Sequence, residues 1–395
     1  MRRVSYCAPV VALFLALSLS FGCASKPPPT RAKAPEAAKP SLTGLQQALK
    51  IYQDIAAKGG WPSVPGVTKL QKGDTGPAVA ALRQRLAVTG DLAKSKKDGE
   101  VFDEDVEQAL MRFQERHGFD PDGVAGKETL AALNVPVEGR VRQLQVALVA
   151  RERLPQNLGD PAVIVNVPDF RLKVIEGGKK ALEMKVVLGQ RREWQTPLLD
   201  SQIKYLILNP KWNVPEGIFE KEMIHHLRKN PEYLAKNNMV VLGTVDGKTQ
   251  TVDAATIDWT QVSAKNPGLR IVQREGAGNS LGRVKFMFPN PYAVYLHDTP
   301  QKSFFKRQMR ALSHGCVRVE RPMDLAEYLM KDDPEWTRER IEKAIASRRN
   351  RDVPLPKPVD VHIIYITSWV DEQGRVNFRD DVYGKDAALA AELGI

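Results

Sequence analysis

Cys316 stands in the stretch Ser313–Val319, "SHGCVRV", where a thiol could do covalent chemistry. A cysteine attacks as its thiolate, and at an ordinary pKa of about 8.5 only a few per cent is ionised at neutral pH, so it needs a base nearby. The chain has six histidines, and two belong to the neighbourhood of the motif: His314, two residues before the cysteine, and His297, which ends the apolar run "YAVYLH". The residues alone leave the base open between them. His117, His225, His226 and His362 read as surface or core histidines. Gly315 lets the backbone turn closely, so that the N–H of Cys316 and its neighbours can hold an oxyanion. Arg318 falls on the same face as Cys316 by strand alternation, and its guanidinium can grip a carboxylate with two hydrogen bonds. Ser313 suits a local hydrogen bond that fixes the loop, and with Tyr295 and Arg318 it forms the set of candidate substrate contacts.

The other two cysteines lie at the start, in "MRRVSYCAPVVALFLALSLSFGCAS". Arg2 and Arg3 followed by an apolar run and small residues form a secretory signal pattern, too short for a membrane-spanning helix. Gly22-Cys23 resembles a bacterial lipoprotein cleavage site, with Ser20 and Phe21 departing from the usual residues. The expectation is a leader over 1–23, lipid on Cys23, and a protein of the periplasm or cell envelope anchored to a membrane. Cys316 is then the one thiol left in an oxidising compartment, without a disulfide partner. The formal charge of +11 suits an anionic envelope polymer or lipid surface. Nothing in the chain resembles a groove-reading motif, so nucleic acid is not an expected partner.

Elements must then position these side chains. Residues 24–40 are rich in Pro, Ala and Lys and read as an extended tether. Leu45, Leu49, Tyr52 and Ile55 recur at helical spacing in a scaffold segment over 41–69. Residues 70–135 form a helical unit with Val79, Leu82 and Leu86 on one helix, and Val106, Leu110 and Phe113 on a second capped by Asp103. The turn at Asp122-Gly123 precedes a third helix from Lys127. A connecting helix occupies 136–160. From Val163 the pattern alternates: Val163, Val165 and Val167, then Phe170, Leu172 and Val174, a turn at Gly177-Gly178, and Leu182, Met184 and Val186. Strands at "KYLILNPKWNVP", "PYAVYLH" and "CVRV", a helix from Pro322, and strands at "VHIIYITSWV" and "RVNFRD" complete the reading. The catalytic domain is expected over 161–345, with C-terminal strands and tail over 346–395. An insertion over 216–279 interrupts the sheet pattern, and its "GAGNS" return reads as the hinge of a lid.

Two resemblances follow. Residues 70–135, with "AVAALRQRLAVTGDL", "FDEDVEQALMRFQERHG" and "PDGVAGKETLAAL" in order, look like a three-helix peptidoglycan-binding domain, with Arg83 and Arg112 as candidate groove residues. "HDTP" and "SHGCVRV", within "GRVKFMFPNPYAVYLHDTPQKSFFKRQMRALSHGCVRVERPMDLAEYLM", resemble the L,D-transpeptidases of bacterial cell walls, as do "VNVPDFRLKV", "NPKWNVP" and "FRDDVYG". The fold implied is α+β: a mainly-β L,D-transpeptidase domain with a capping insertion, preceded by the small helical domain. The resemblance implies Cys316 as nucleophile and His297 as base, with His314 becoming substrate-facing. Asp298 would orient His297, through its backbone carbonyl rather than its carboxylate because neighbouring side chains on a strand face opposite ways. Its side chain is accordingly expected to matter little. The implied reaction releases D-Ala from a tetrapeptide stem, leaves a thioester, and transfers it to a diaminopimelate amine, making a 3-3 cross-link. A lipoprotein lysine, a D-amino acid or water are alternative acceptors, and a non-catalytic wall-binding lipoprotein is the alternative of another class. Partners are peptidoglycan stem peptides and glycan; carbapenem-type inhibitors are expected to label the thiol, and no metal or cofactor is implied.

Overall fold

The computed structural model describes residues 42–93, 99–230, 232–245, 247–262 and 268–395; the leader, Cys23 and the tether lie outside them. Helix α1 (Leu42–Ala57) is followed by the helical unit α2 (Pro77–Val88), α3 (Glu104–Arg116) and α4 (Lys127–Leu133), then α5 (Val137–Glu152). Asp103 caps α3 by accepting from the Val106 N–H at 3.1 Å. The periodic positions Val79, Leu82, Leu86, Val106, Leu110 and Phe113 meet in one core. Gln114, on the same helix, clamps the Asp122-Gly123 turn: its amide donates to Asp122 Oδ1 at 2.8 Å and its carbonyl accepts from the Gly123 N–H at 2.9 Å.

Of the two arginines expected to line a groove, Arg83 is taken into the unit, while Arg112 stays exposed. Arg83 is buried, donating to the Val101 carbonyl and pairing with Asp103, each at 3.0 Å. Arg112 donates twice to the Asp91 carbonyl, at 3.1 and 2.9 Å. The α2–α3 connection leaves loop carbonyls without partners, and arginine's planar donors fill those needs, Arg83 from a buried and Arg112 from an exposed position.

The alternating segment builds β1 (Ala162–Asn166), β2 (Arg171–Glu176), β3 (Lys179–Gly189) and β4 (Leu199–Leu208). There the chain leaves for the insertion: β5 (Trp212–Asn213), α6 (Glu216–Ile218), a π-helical turn at Phe219–Met223, α7 (Ile224–Lys229), α8 (Tyr233–Lys236), β6 (Met239–Val245), β7 (Lys248–Val252) and β8 (Leu269–Gln273). It returns through β9 (Val284–Met287), β10 (Leu296–His297), β11 (Ala311–Ser313) and β12 (Val317–Val319). After α9 (Pro322–Met330) and α10 (Arg338–Ala346) come β13 (Arg351–Ile364), β14 (Ser368–Val370), β15 (Val376–Phe378) and α11 (Lys385–Leu393).

The main sheet runs β11-β3-β12-β10-β9-β4-β13-β1-β2, and β2 also pairs with β3, so it closes on itself as a barrel. Long β3 makes the closure: Lys179 to Lys185 pair with β2, Val186 and Val187 with β12. The catalytic domain does not end at 345 as expected, because β13 is a central strand, antiparallel to β4 and parallel to β1. Its "PLPKP" hides a strand in the sequence, and the register shift between Pro354 and Val359 is what accommodates it. Val353, Val359, Val361 and Ile363 are core residues of the barrel. The β14–β15 hairpin packs away from the barrel core: Phe378 joins Leu45, Tyr52, Val137 and Leu144 of α1 and α5.

The insertion has its own four-stranded sheet, β5-β8-β6-β7, and its own core around Leu227, Leu234, Val241, Trp259 and Ile271. The "GAGNS" return is stapled rather than free. Asn279 is buried, its amide donates to the Arg274 carbonyl at 2.9 Å, and Gln273 accepts from the Ser280 N–H at 2.8 Å. These bonds fix the turn, so the expectation of a flexible glycine hinge is corrected.

Candidate active site

Parallel pairing of β10 with β12 sets Leu296 opposite Val317 and His297 opposite Arg318. The Val317 N–H donates to the Tyr295 carbonyl at 2.9 Å, which brings Cys316 level with Tyr295. Alternation then puts Tyr295, His297, Cys316 and Arg318 on one face. With strands about 4.8 Å apart and a two-residue rise of about 6.6 Å, the Cα atoms of Cys316 and His297 are about 8 Å apart, so a thiol and an imidazole can meet between them. His314 is engaged elsewhere. Its Nε2–H donates to Glu222 Oε1 of the insertion at 2.6 Å, and its ring stands edge-on to Trp194 with centroids 5.2 Å apart. Lys221, beside Glu222, pairs with Glu193 at 2.8 Å, so the insertion is fastened to the motif loop and to its neighbour.

His297 is buried, and its Nδ1–H donates to the Asp298 carbonyl at 2.5 Å. A carbonyl only accepts, so the neutral ring keeps its proton on Nδ1 and presents a bare Nε2. Burial, reinforced by the charge of Arg318, pushes the imidazole pKa down to about 3. The base is therefore neutral at any physiological pH.

The Asp298 carboxylate has its own work, contrary to the expectation that it matters little. Oδ1 accepts from the Thr299 N–H and from Lys302 Nζ, both at 2.7 Å, and Oδ2 accepts from the Arg283 N–H at 2.9 Å. The approach is close enough that a Cβ at Gly282, whose φ is +63°, would come 2.4 Å from the Asp298 carboxyl carbon. Asp298 thus ties the entry to β9 to the exit of β10, and it positions His297 through the backbone. The sequence hid this because the partners are main-chain N–H groups with no residue signature.

The Cys316 thiol donates to the Ala293 carbonyl, with Sγ 3.8 Å away. Ala293 is left-handed, at φ 53°, in a loop wrapped around Asn290, whose side chain donates to the Val294 carbonyl at 2.8 Å and accepts from the Val294 N–H at 3.1 Å. Burial pushes the thiol pKa up; a Tyr295 backbone hydrogen bond and the charges of Lys285 and Arg318 pull the other way without reversing it. The resting pair is a thiol and a neutral imidazole.

Gly315 takes φ 110°, which L side chains rarely adopt. Its N–H is held by Ser313 Oγ at 3.2 Å, and the Ser313 hydroxyl donates to the Cys316 carbonyl at 2.6 Å. Ser313 is only 1% exposed, so it is a loop clamp and not the substrate contact expected. The Gly315 carbonyl accepts from Thr196 Oγ1 at 2.8 Å, the Thr196 N–H donates to Tyr383 Oη at 3.2 Å, and that phenol donates to the Gly189 carbonyl at 2.6 Å. Thr196 and Tyr383 were missed by sequence reasoning, although "FRDDVYG" held the second. Lys285 was also missed, and a lysine inside the apolar strand "VKFMF" was its available signal. It pairs with His297 across β9 and β10, and its Nζ lies 3.9 Å from the Tyr295 ring centroid. Arg318 donates to Gln301 Oε1 and lies 5.6 Å from the Phe304 ring centroid.

Fold and site together define a mainly-β barrel domain that carries a thiol and a neutral imidazole on one sheet face, with a helical domain before it. Comparison with known families agrees. Residues 160–341 match the L,D-transpeptidase catalytic domain, and residues 75–133 match the "Putative peptidoglycan binding domain". This chain carries an L,D-transpeptidase catalytic domain behind an N-terminal peptidoglycan-binding domain. A Haemophilus influenzae protein named "Putative L,D-transpeptidase" is 35% identical over 228 residues, covering 58% of this chain and 45% of that protein, so the match spans less than half the relative's length. Among solved structures, an L,D-transpeptidase from Stackebrandtia nassauensis is 15% identical with a TM-score of 0.28, covering 77% of this chain and 96% of its own. One from Xylanimonas cellulosilytica is 17% identical with a TM-score of 0.23, covering 76% and 98%.

Proposed function

We propose that this protein is a peptidoglycan L,D-transpeptidase with Cys316 as nucleophile and His297 as general base. The observation that carries this is the neutral His297 ring, with Nδ1 committed to the Asp298 carbonyl, on the sheet face of Cys316. As Sγ attacks the carbonyl carbon of the third stem residue, its proton passes to His297 Nε2 and an S–C bond forms. The C–N bond to D-Ala then breaks, and the imidazolium returns the proton to the leaving amine. A diaminopimelate amine of a second stem gives its proton to His297 and attacks the thioester, which releases the thiol and leaves a 3-3 cross-link. Starting from a thiol rather than a ready thiolate makes the base indispensable. We also infer that lipid on Cys23 holds the protein in the cell envelope, where the helical domain meets the wall.

Mass spectrometry of the protein, from about residue 42 on, incubated with tetrapeptide stems tests the chemistry. The expected result is a thioester and cross-linked product, absent in Cys316→Ala and slowed about 10²- to 10⁴-fold in a His297 variant. A thioester still formed by Cys316→Ala would remove the reading, and tripeptide as the sole product would make the enzyme a carboxypeptidase. Labelling of Cys316 by a carbapenem gives an independent measure of acylation.

A further inference from the structure

We propose that Lys285 and Arg318 together form a subsite for an ionised carboxylate of the donor peptide, within one residue of the bond Cys316 attacks; this rests on the transpeptidase reading above. Strand register makes the case first. Lys285 pairs with His297 across β9 and β10, and His297 pairs with Arg318 across β10 and β12, so the three side chains form one row on the thiol's face. Lys285 Nζ lies 3.9 Å from the centroid of the Tyr295 ring, the residue level with Cys316, and the charges of Lys285 and Arg318 both act on the His297 ring and on Cys316.

The charge balance makes it next. Asp298, the carboxylate next to His297 in the chain, is already matched by Lys302 at 2.7 Å and Arg283 at 3.6 Å. Cys316 and His297 both rest neutral. Among the described residues, no carboxylate forms an ion pair with Lys285 or Arg318. Arg318 leans on the neutral Gln301 amide, and its buried Nε has no hydrogen-bond partner. Lys285 has the face of Tyr295. Two cations removed from bulk water without an anion are costly, and an anion arriving between them relieves both. A tetrapeptide stem brings carboxylates to this place, on the D-Ala that leaves and on the diaminopimelate.

The test is calorimetric titration of synthetic tetrapeptide into the Cys316→Ala protein, where no turnover follows. Three peptides are compared: the free acid, the C-terminal amide, and the peptide amidated on the diaminopimelate side-chain carboxyl. The expected result is about tenfold weaker binding of the free acid on adding Lys285→Met, with Lys285→Arg close to the parent. One of the amidated peptides should bind the parent as weakly and show no further loss with Lys285→Met. The proposal is overturned if Lys285→Met leaves the free-acid Kd unchanged, if it weakens all three peptides equally, or if the free acid does not bind the parent. Failure of the native thiol to form a thioester would instead sink the transpeptidase reading while the Kd pattern stood.

Discussion

Replacing Asp298 separates two ways in which a residue beside a catalytic histidine can work. If its carboxylate oriented the ring as in a protease triad, Asp298→Asn would cost about 10⁴-fold in rate while sparing the fold. The structure requires the opposite balance. The acceptor for Nδ1–H is the main-chain carbonyl, which the substitution leaves in place, while the carboxylate receives two backbone N–H groups and a lysine. Asp298→Ala strands both N–H groups, at roughly 1–3 kcal/mol each, or about 4 kcal/mol together. Asp298→Asn retains one acceptor oxygen and loses the charge, which puts its cost near about 2 kcal/mol. Thermal unfolding followed by circular dichroism should rank native above Asn above Ala. Acylation of Cys316, timed by mass spectrometry well below each Tm, should fall less than about tenfold in Asp298→Asn. An Asn variant with native Tm and a loss beyond about 10³-fold would refute the carbonyl assignment.

Three further outcomes are expected. With its pKa near 3 in the fold against 6.5 ordinarily, His297 stays a free base on acidification, so the acid limb of kcat/KM for acylation should fall well below pH 6.5. By linkage the unfolded chain binds this proton first. His297 therefore lowers stability progressively as pH falls from about 6.5 toward 3, and His297→Phe should flatten that part of the Tm–pH curve; an acid limb at the ordinary histidine pKa would contradict the buried base. Finally, Cys23→Ser should move the protein from the membrane fraction to the soluble envelope fraction, and an unchanged distribution would rule out a lipid on that cysteine.

Local patterns carried much of this protein. Period-3.6 spacing located α1 to α3, the Asp103 cap marked the start of α3, the Asp122-Gly123 turn marked the approach to α4, and alternation located β1 to β3, because these features depend on residues a few positions apart. The Cys316 motif was legible in residue order, the choice of His297 over His314 came from the resemblance, and the preference for the Asp298 carbonyl came from alternation along the strand. What needed the tertiary structure was every pairing between distant segments. The central place of β13 was hidden by its prolines, which propensity reads as a loop and a bulge absorbs. Arg83 carries charge that suits a surface groove, and only packing shows it buried with a donor on the Val101 carbonyl. Ser313, Thr196 and Tyr383 form one support under Gly315 because barrel closure brings residues from three parts of the chain together. The row of Lys285, His297 and Arg318 exists only in the register of β9, β10 and β12. Register is set by which faces of remote strands bury their side chains, and a single sequence does not state that choice.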